Sequence, residues 1–165
     1  VKIDYKHFNV EKFLKTIELN YKKEPFFDEV FHEIKKIFLK RHEILSELNI
    51  ELIKMICIYL GINTSIILSS NFKKEKKLRK TELLLFLLNK FNCSQYYTTF
   101  GSKNYLGEMN IFPGTKIGIK YFYYSSSETD VKKDNQDLNL STLDLMFRYG
   151  SKTKEKIIEN FKLVN

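Results

Sequence analysis

The sequence predicts an α/β fold, in which helices flank a small, mostly parallel, three-layer (Rossmann-like) sheet. Apolar residues recur at helical spacing up to Gly61. The run from Ile62 to Ser70 is then almost continuously apolar, which is typical of a strand buried on both faces. Helical and strand patterns alternate afterwards, as expected of βαβ units. At 165 residues the chain can bury a core, and we expect residues 1–165 to form a single α/β domain.

Three helices are predicted before the first buried strand. Asn9 is a suitable N-cap for a helix that continues through Tyr21. Pro25 fits the first turn of a second helix. A third helix ends at Gly61, which favours the left-handed conformation that stops a helix. The alternating residues Val1–Lys6 predict a short additional strand.

The remaining elements alternate in type along the chain. In order, we expect the strand Ile62–Ser70, a helix capped by Thr81 that runs to Asn92, strands at Gln95–Thr99 and Ile117–Tyr123, a polar loop over Ser125–Asp137, a helix at Thr142–Tyr149 capped by Ser141 and ended by Gly150, and a last helix from Ser151 or Lys152 towards Leu163.

A polar loop after the second buried strand is the candidate site. A right-handed crossover would bring the carboxyl ends Ser69–Ser70 and Thr98–Thr99 side by side, and ligands collect at that edge of open parallel sheets. Gly101, Ser102 and Lys103 follow directly. Their hydroxyl, ammonium and backbone N–H groups suit an anionic or carbonyl-bearing ligand. The alternative is a plain turn with surface polar residues, because a loop with one glycine is a weak motif.

The chain is basic, with a formal net charge of +8 and an isoelectric point near 9.3. Lysines concentrate in Lys73–Lys80, which suits phosphate groups but describes a solvated loop equally well. The abundance of Lys, Ile, Asn, Tyr and Phe is also what an AT-rich coding sequence produces. Because no base-stacking aromatic residues are interleaved with the lysines, the sequence counts against a nucleic-acid partner.

The cysteines and histidines bear on the cofactor and on the cellular compartment of the protein. Cys57 and Cys93 are too far apart in sequence to form a disulfide framework or a metal site, so we expect a reducing, cytoplasmic location. His7, His32 and His42 lack the spacing of metal ligands, and no metal is predicted. The sequence leaves any cofactor and the oligomeric state unknown. No apolar run approaches the roughly 20 residues that span a bilayer.

Several segments, in order along the chain, resemble those of one protein family. They are Lys15-Thr16-Ile17-Glu18 with Asn20-Tyr21, Pro25 with Phe27, Leu48-Asn49-Ile50, Tyr59-Leu60-Gly61-Ile62, Ser69-Ser70, Lys80-Thr81-Glu82-Leu83, Lys103-Asn104-Tyr105-Leu106, and Leu140-Ser141 with Leu143-Asp144-Leu145 and Gly150. Together they resemble the WbqC-like family. The segment Thr98–Ser102 departs from that family's glycine-rich loop. The family's N-terminal signature has no counterpart here, so we expect the chain to be the C-terminal portion of a longer protein.

The resemblance implies a bacterial protein of O-antigen or other surface-polysaccharide biosynthesis, and a transferase that attaches an acyl or aminoacyl group, such as glycine, to an amino sugar. Its partners would be a nucleotide- or lipid-linked amino sugar and a small acyl or aminoacyl donor. Lys103 would bind a phosphate or carboxylate, and Ser102 would hold an oxygen that gains charge. Glu82 would be a general base, unless it is only a favourable first-turn acid. The expected ligand-binding residues are Ser69, Ser70, Thr98, Thr99, Gly101, Tyr105, Asn20 and Tyr21.

A second hypothesis is a non-catalytic binding or assembly module that holds phosphate-rich glycan precursors or a partner protein. The altered loop and the missing N-terminal signature favour it. Asp144, three residues after Ser141, has the spacing of a capping box, and we expect a structural role for it.

Overall fold

A computed structural model describes residues 1–72, 78, 80–103, 115–124 and 141–164 of the chain. Its helices and strands are α1 (Val10–Tyr21), α2 (Phe27–Leu39), α3 (Leu45–Tyr59), α4 (Lys80–Lys90), β1 (Gln95–Thr99), β2 (Gly118–Tyr124), α5 (Thr142–Tyr149), α6 (Thr153–Glu159) and β3 (Phe161–Val164). The chain divides into two compact units. The first comprises Val1–Thr64 and Glu128–Glu159, and the second comprises Ser65–Ser127 and Asn160–Asn165.

Three of the helix ends in the first unit lie where capping chemistry predicts them. Asn9 Oδ1 accepts a hydrogen bond from the backbone N–H of Lys12 at 2.8 Å, which satisfies one of the unpaired donors of the first turn. Gly61 and Gly150 follow α3 and α5 with φ angles of +63° and +54°. The predicted cap and the two glycine stops are therefore confirmed. Pro25 lies in the turn before α2 rather than in its first turn.

The core of the first unit is built from α1, α2, α3 and α5. Val10, Ile34, Met146 and Phe147 are among its most completely buried side chains. The ring of Tyr21 stacks on Phe147 with a centroid distance of 4.6 Å. Four helices that each bury one apolar stripe thus share a single core.

The second unit holds a three-stranded mixed sheet within its described residues. β2 is central, pairs in parallel with β1 and pairs antiparallel with β3. Tyr96, Ile119 and Tyr121 share one face, and Leu85 of α4 packs against Tyr121 there. The α/β class is confirmed, as are the strands predicted at Gln95–Thr99 and, shifted by one residue, at Ile117–Tyr123. The pairing is mixed, however, rather than mostly parallel.

The strand predicted over Ile62–Ser70 is wrong. Residues 62–68 have no regular structure, and a 3-10 turn covers Ser69–Asn71. Ile66, Ile67 and Leu68 are 40%, 54% and 43% exposed. An apolar run becomes a buried strand only where it finds a partner edge and two covering layers, and this run has neither among the described residues.

The last predicted helix is also wrong over its second half. α6 ends at Glu159, and Phe161–Val164 forms β3. Phe161 is paired with Tyr124, and Leu163 with Phe122. The local pattern of this segment fits either structure, and the long-range pairing with β2 decides in favour of a strand.

Three smaller corrections concern element ends. Val1–Lys6 makes only an isolated bridge, Lys2 with Ile44, because the Asp4 side chain accepts from the Lys6 backbone N–H at 2.9 Å and closes a turn. α4 begins at Lys80, so Thr81 lies inside it instead of capping it. Ser141 is the N-cap residue of α5 as predicted, but its side chain makes no capping bond.

Some predicted features lie outside the described residues, namely positions 73–77 and 79 of the lysine run and the loop Ser125–Asp137. Within the described ranges, no helix combines the length and the apolar character needed to cross a membrane.

Candidate functional site

The carboxyl end of β1 turns back on itself through two hydroxyl groups. The Ser102 hydroxyl donates to the backbone carbonyl of Thr99 at 2.6 Å, and its oxygen lies 2.9 Å from the hydroxyl oxygen of Thr98. Because the Ser102 proton is committed to that carbonyl, Thr98 must be the donor to Ser102. The bonds close a 3-10 turn over Phe100–Ser102, in which Gly101 is exposed.

Lys103 follows this turn and places its ammonium group on two aromatic rings. Its Nζ lies 5.4 Å from the ring centroid of Phe100 and 5.6 Å from that of Tyr121. The Phe100 ring meets those of Tyr121 and Tyr123 nearly edge-on, with centroids 6.4 and 6.2 Å away. The aromatic faces attract the cation, by about 0.5–1 kcal/mol for an exposed pair, and favour this position of the long side chain.

We call this group of residues the Lys103 site: Thr98, Thr99, Phe100, Gly101, Ser102, Lys103 and Tyr121. It combines an exposed cation with the hydroxyl groups of the preceding turn, at the carboxyl end of β1, which runs parallel to β2. Such an arrangement can bind a phosphate, a carboxylate or a polarised carbonyl oxygen. The sequence predicted the polar members, but the aromatic support from Tyr121 depends on strand register, which sequence reasoning did not provide.

Other predicted residues are placed differently. Ser69 and Ser70 belong to a 3-10 turn rather than to a strand end, so the expected pairing of two carboxyl ends with Thr98–Thr99 is not formed. Glu82 is exposed in the first turn of α4. Tyr105 lies outside the described residues. The Lys103 site therefore keeps only the part of the predicted site that is contiguous in sequence.

Asn20 and Tyr21 belong to the first unit, whereas the Lys103 site belongs to the second. The Asn20 side-chain amide donates to the carbonyl of Thr16 at 2.8 Å, one turn earlier on α1. Burial, and next the negative charge of Asp144, raise the pKa of Tyr21 above its usual value. Both side chains thus have local structural partners, and their role in ligand binding remains a prediction.

A pocket between α2 and α3 was not predicted from the sequence. Its volume is about 340 Å³, and its lining combines an apolar floor with a charged rim: Val30, Glu33, Ile37, Lys40, Glu51, Lys54, Met55, Ile58 and Tyr59. The Tyr59 hydroxyl is buried and has no hydrogen-bond partner within the described part of the chain. Burial, and next the nearby charge of Glu29, raise its pKa to about 12. The only sequence signal was a polar tip within the apolar pattern of α3.

Acidic and basic groups also pair beside this pocket. Glu51 accepts from Lys40 Nζ at 2.7 Å and lies 2.9 Å from His42 Nε2. The Lys40 ammonium, and next the His42 ring, hold the pKa of Glu51 below its usual value. Within the described ranges, no group of three or more His, Cys, Asp and Glu side chains could hold a metal ion.

These observations define a two-unit α/β protein with a cationic site at the end of a parallel strand pair. The model of the WbqC-like protein family matches residues 1–156, and the chain belongs to that family. It is also 29% identical, over 148 residues, to a Mycobacterium tuberculosis protein named "Uncharacterized protein Rv1507c". That match covers 86% of this chain but only 61% of the relative's length. No solved structure matches the chain.

Proposed function

We propose that this WbqC-like protein is a transferase of surface-polysaccharide (O-antigen) biosynthesis, which moves an acyl or aminoacyl group, such as glycine, to an amino sugar. Its substrates would be a nucleotide- or lipid-linked amino sugar and a small acyl or aminoacyl donor. The observation that carries the proposal is the exposed Lys103 ammonium on Phe100 and Tyr121, at the residue that directly follows the Thr98–Ser102 hydroxyl pair. Family membership is compatible with this activity and does not by itself specify it.

The proposed transfer requires a nucleophile, a group that stabilises the developing negative charge, and a base. The sugar amine attacks the acyl carbonyl, a C–N bond forms, and the bond to the donor's leaving group breaks with its electron pair. Lys103 stabilises a negative oxygen, either on the tetrahedral intermediate or on a linking phosphate. Glu82 is the proposed acceptor of the amine proton. Ser102 can donate to a ligand only if its hydroxyl rotates away from the Thr99 carbonyl.

Binding of anionic probes tests the site before any donor is known. The full chain is titrated with inorganic pyrophosphate and with uridine diphosphate glucosamine, and the heat of binding is recorded. Lys103→Gln removes a charged hydrogen-bond donor, so affinity should fall about tenfold or more. Lys90→Gln is the matched control, because Lys90 is also an exposed lysine and lies in the last turn of α4. Equal losses in both variants, or no loss in Lys103→Gln, would reject Lys103 as the anion-binding residue.

A non-catalytic binding module remains the second candidate, and the distribution of charge favours it. The sequence of the second unit contains eleven lysines and arginines against three glutamates, whereas the first unit has seventeen of each sign. The whole net charge of +8 therefore resides in the second unit. Retention of phosphate-rich glycan precursors by such a surface should fall steeply with ionic strength, whereas a shaped catalytic site should keep its selectivity between sugars at high salt.

A further inference from the structure

The sheet of the second unit has a face opposite to the one that packs against α4. Strand alternation and the observed register place eight side chains on it: Gln95, Tyr97, Thr99, Lys120, Phe122, Tyr124, Phe161 and Leu163. We call it the open face. Tyr97 is paired with Lys120, Phe122 with Leu163, and Tyr124 with Phe161, so the side chains form three adjacent rows.

The open face is aromatic and accessible. Tyr97, Tyr124, Phe161 and Leu163 are 53%, 37%, 39% and 55% exposed. The rings of Phe122 and Phe161 contact each other, with centroids 5.2 Å apart, which fixes their position on the same side of the sheet. Exposed aromatic rings held on strands form a stacking platform, because a planar base can stack on each ring and the ring loses little conformational entropy.

The open face also lies in the unit that carries the entire net charge of the chain, and Lys120 is part of it. A positive unit with few acidic residues attracts phosphate backbones. Neutral sugars would use the rings but not the charge, and an anionic vesicle surface would use the charge but has no planar groups to stack. An anionic protein carries fewer planar groups per negative charge than a nucleic acid, which has one base for each phosphate. The aromatic platform and the positive charge of the unit together favour a ligand in which planar rings alternate with phosphates.

We propose that the open face binds single-stranded nucleic acid, with bases stacked on the exposed rings of Tyr97, Tyr124 and Phe161 and the phosphates attracted by the net positive charge of the second unit. The sequence counted against such a partner because no aromatic residue is interleaved with the lysine run. The sheet supplies the platform from β1, β2 and β3 instead. The proposal does not rest on the transferase function, because Lys103 contacts Tyr121, which lies on the other face of the sheet.

Fluorescence anisotropy of labelled single-stranded RNA and DNA, about 12 nucleotides long, tests the proposal with the full chain at about 50 mM salt. Tyr97→Thr and Tyr124→Thr remove stacking rings and keep strand propensity. Each should weaken binding about tenfold, the size expected for the loss of one base–aromatic stack. Tyr123→Thr is the matched control: Tyr123 is a neighbour on β2 with 39% exposure but points to the opposite face, and its variant should bind within twofold of the native chain.

Further readouts separate stacking from charge and from misfolding. Tyr97→Phe keeps the ring and should retain native affinity, and urea midpoints show whether each variant is folded. A duplex of the same length should bind more weakly than the single strand, and salt should weaken all variants with the same slope. The proposal is overturned if no single strand binds, if the duplex binds equally well, or if Tyr123→Thr loses as much affinity as Tyr97→Thr. It is also overturned if the open-face variants instead dissociate a dimer, since a second copy would then cover the face.

Discussion

Arg148 Nε lies 2.9 Å from Asp144 Oδ2, and the two residues are one helical turn apart on α5. Their side chains are only 19% and 5% exposed, so this ion pair is largely withdrawn from water. The Ser141 side chain makes no capping bond, and the Asp144 carboxylate lies along the helix beside Arg148. Asp144 therefore has the structural role expected of it, with a different partner.

Breaking this pair should destabilise the first unit strongly. Arg148→Met leaves the buried Asp144 carboxylate without its cation, and removing one partner of a buried pair costs about 3–5 kcal/mol. The double variant Asp144→Leu with Arg148→Met should recover most of that loss, because it leaves no unpaired charge. Urea unfolding of the three proteins measures both effects. A loss below about 1 kcal/mol in the single variant would show that the pair behaves as an exposed one.

Gly150 should tolerate substitution worse than Gly61, although both have positive φ angles. A Cβ on Gly150 would overlap the ring of Phe26, whereas a Cβ on Gly61 would meet open space. Gly61→Ala should therefore cost only about 1 kcal/mol for its backbone conformation. Gly150→Ala adds an overpacking cost of about 1–3 kcal/mol. Thermal unfolding of the two variants compares them directly, and equal losses would mean that Phe26 moves aside freely.

The contrast between Gln95–Thr99 and Phe161–Val164 shows what the sequence could predict. The first segment is a run of aromatic and β-branched residues, which predicts a strand. The second is short and follows a helix directly, so its local pattern was continued as a helix. Its structure depends on the free edge of β2, which no local pattern reveals. The Asn9 cap and the two glycine stops are predicted correctly because their causes lie within a few residues, whereas Thr81 lies inside α4 and the Ser141 side chain makes no capping bond.

For the candidate site, too, the residues that are neighbours in sequence were predicted and the distant ones were not. Thr98, Ser102 and Lys103 were found because they are neighbours in sequence, and their hydrogen bonds span at most four residues. Ser69 and Ser70 were added only through a strand that does not exist. Tyr121, eighteen positions beyond Lys103, was missed because its contact requires the parallel pairing of β1 with β2. Sequence reasoning thus recovered the local half of the site.

Removing the Ser102 hydroxyl should lower the free energy of unfolding more than removing the Thr98 hydroxyl. Ser102→Ala removes both the bond to the Thr99 carbonyl and the acceptor of Thr98, and should cost about 1–2 kcal/mol. Thr98→Val leaves the Ser102–Thr99 bond intact and should cost about half as much. A double-mutant cycle in urea should give a coupling of about 0.5–1 kcal/mol. Additive losses would show that the 2.9 Å contact contributes nothing to stability.

Substitution of Tyr59 and a rise in pH should have opposite effects on the free energy of unfolding. Its buried hydroxyl has no hydrogen-bond partner among the described residues, so Tyr59→Phe removes an unsatisfied group and should leave stability equal or slightly higher at pH 7. The native chain should instead lose stability from this residue between pH 10, its value in an unfolded chain, and about pH 12, the folded pKa. In that window the unfolded chain releases the phenolic proton and the folded chain keeps it, so rising pH favours unfolding.

The measurement is the free energy of unfolding of the native and Tyr59→Phe proteins, obtained from urea denaturation across this pH window. The free energy of unfolding of the native chain should fall more steeply than that of the variant by about 1.4 kcal/mol per pH unit, the effect of one proton. Parallel curves for native and Tyr59→Phe protein would mean that water reaches the hydroxyl through the pocket between α2 and α3. The polar tip of Tyr59 would then belong to a hydrated site rather than to a dry one.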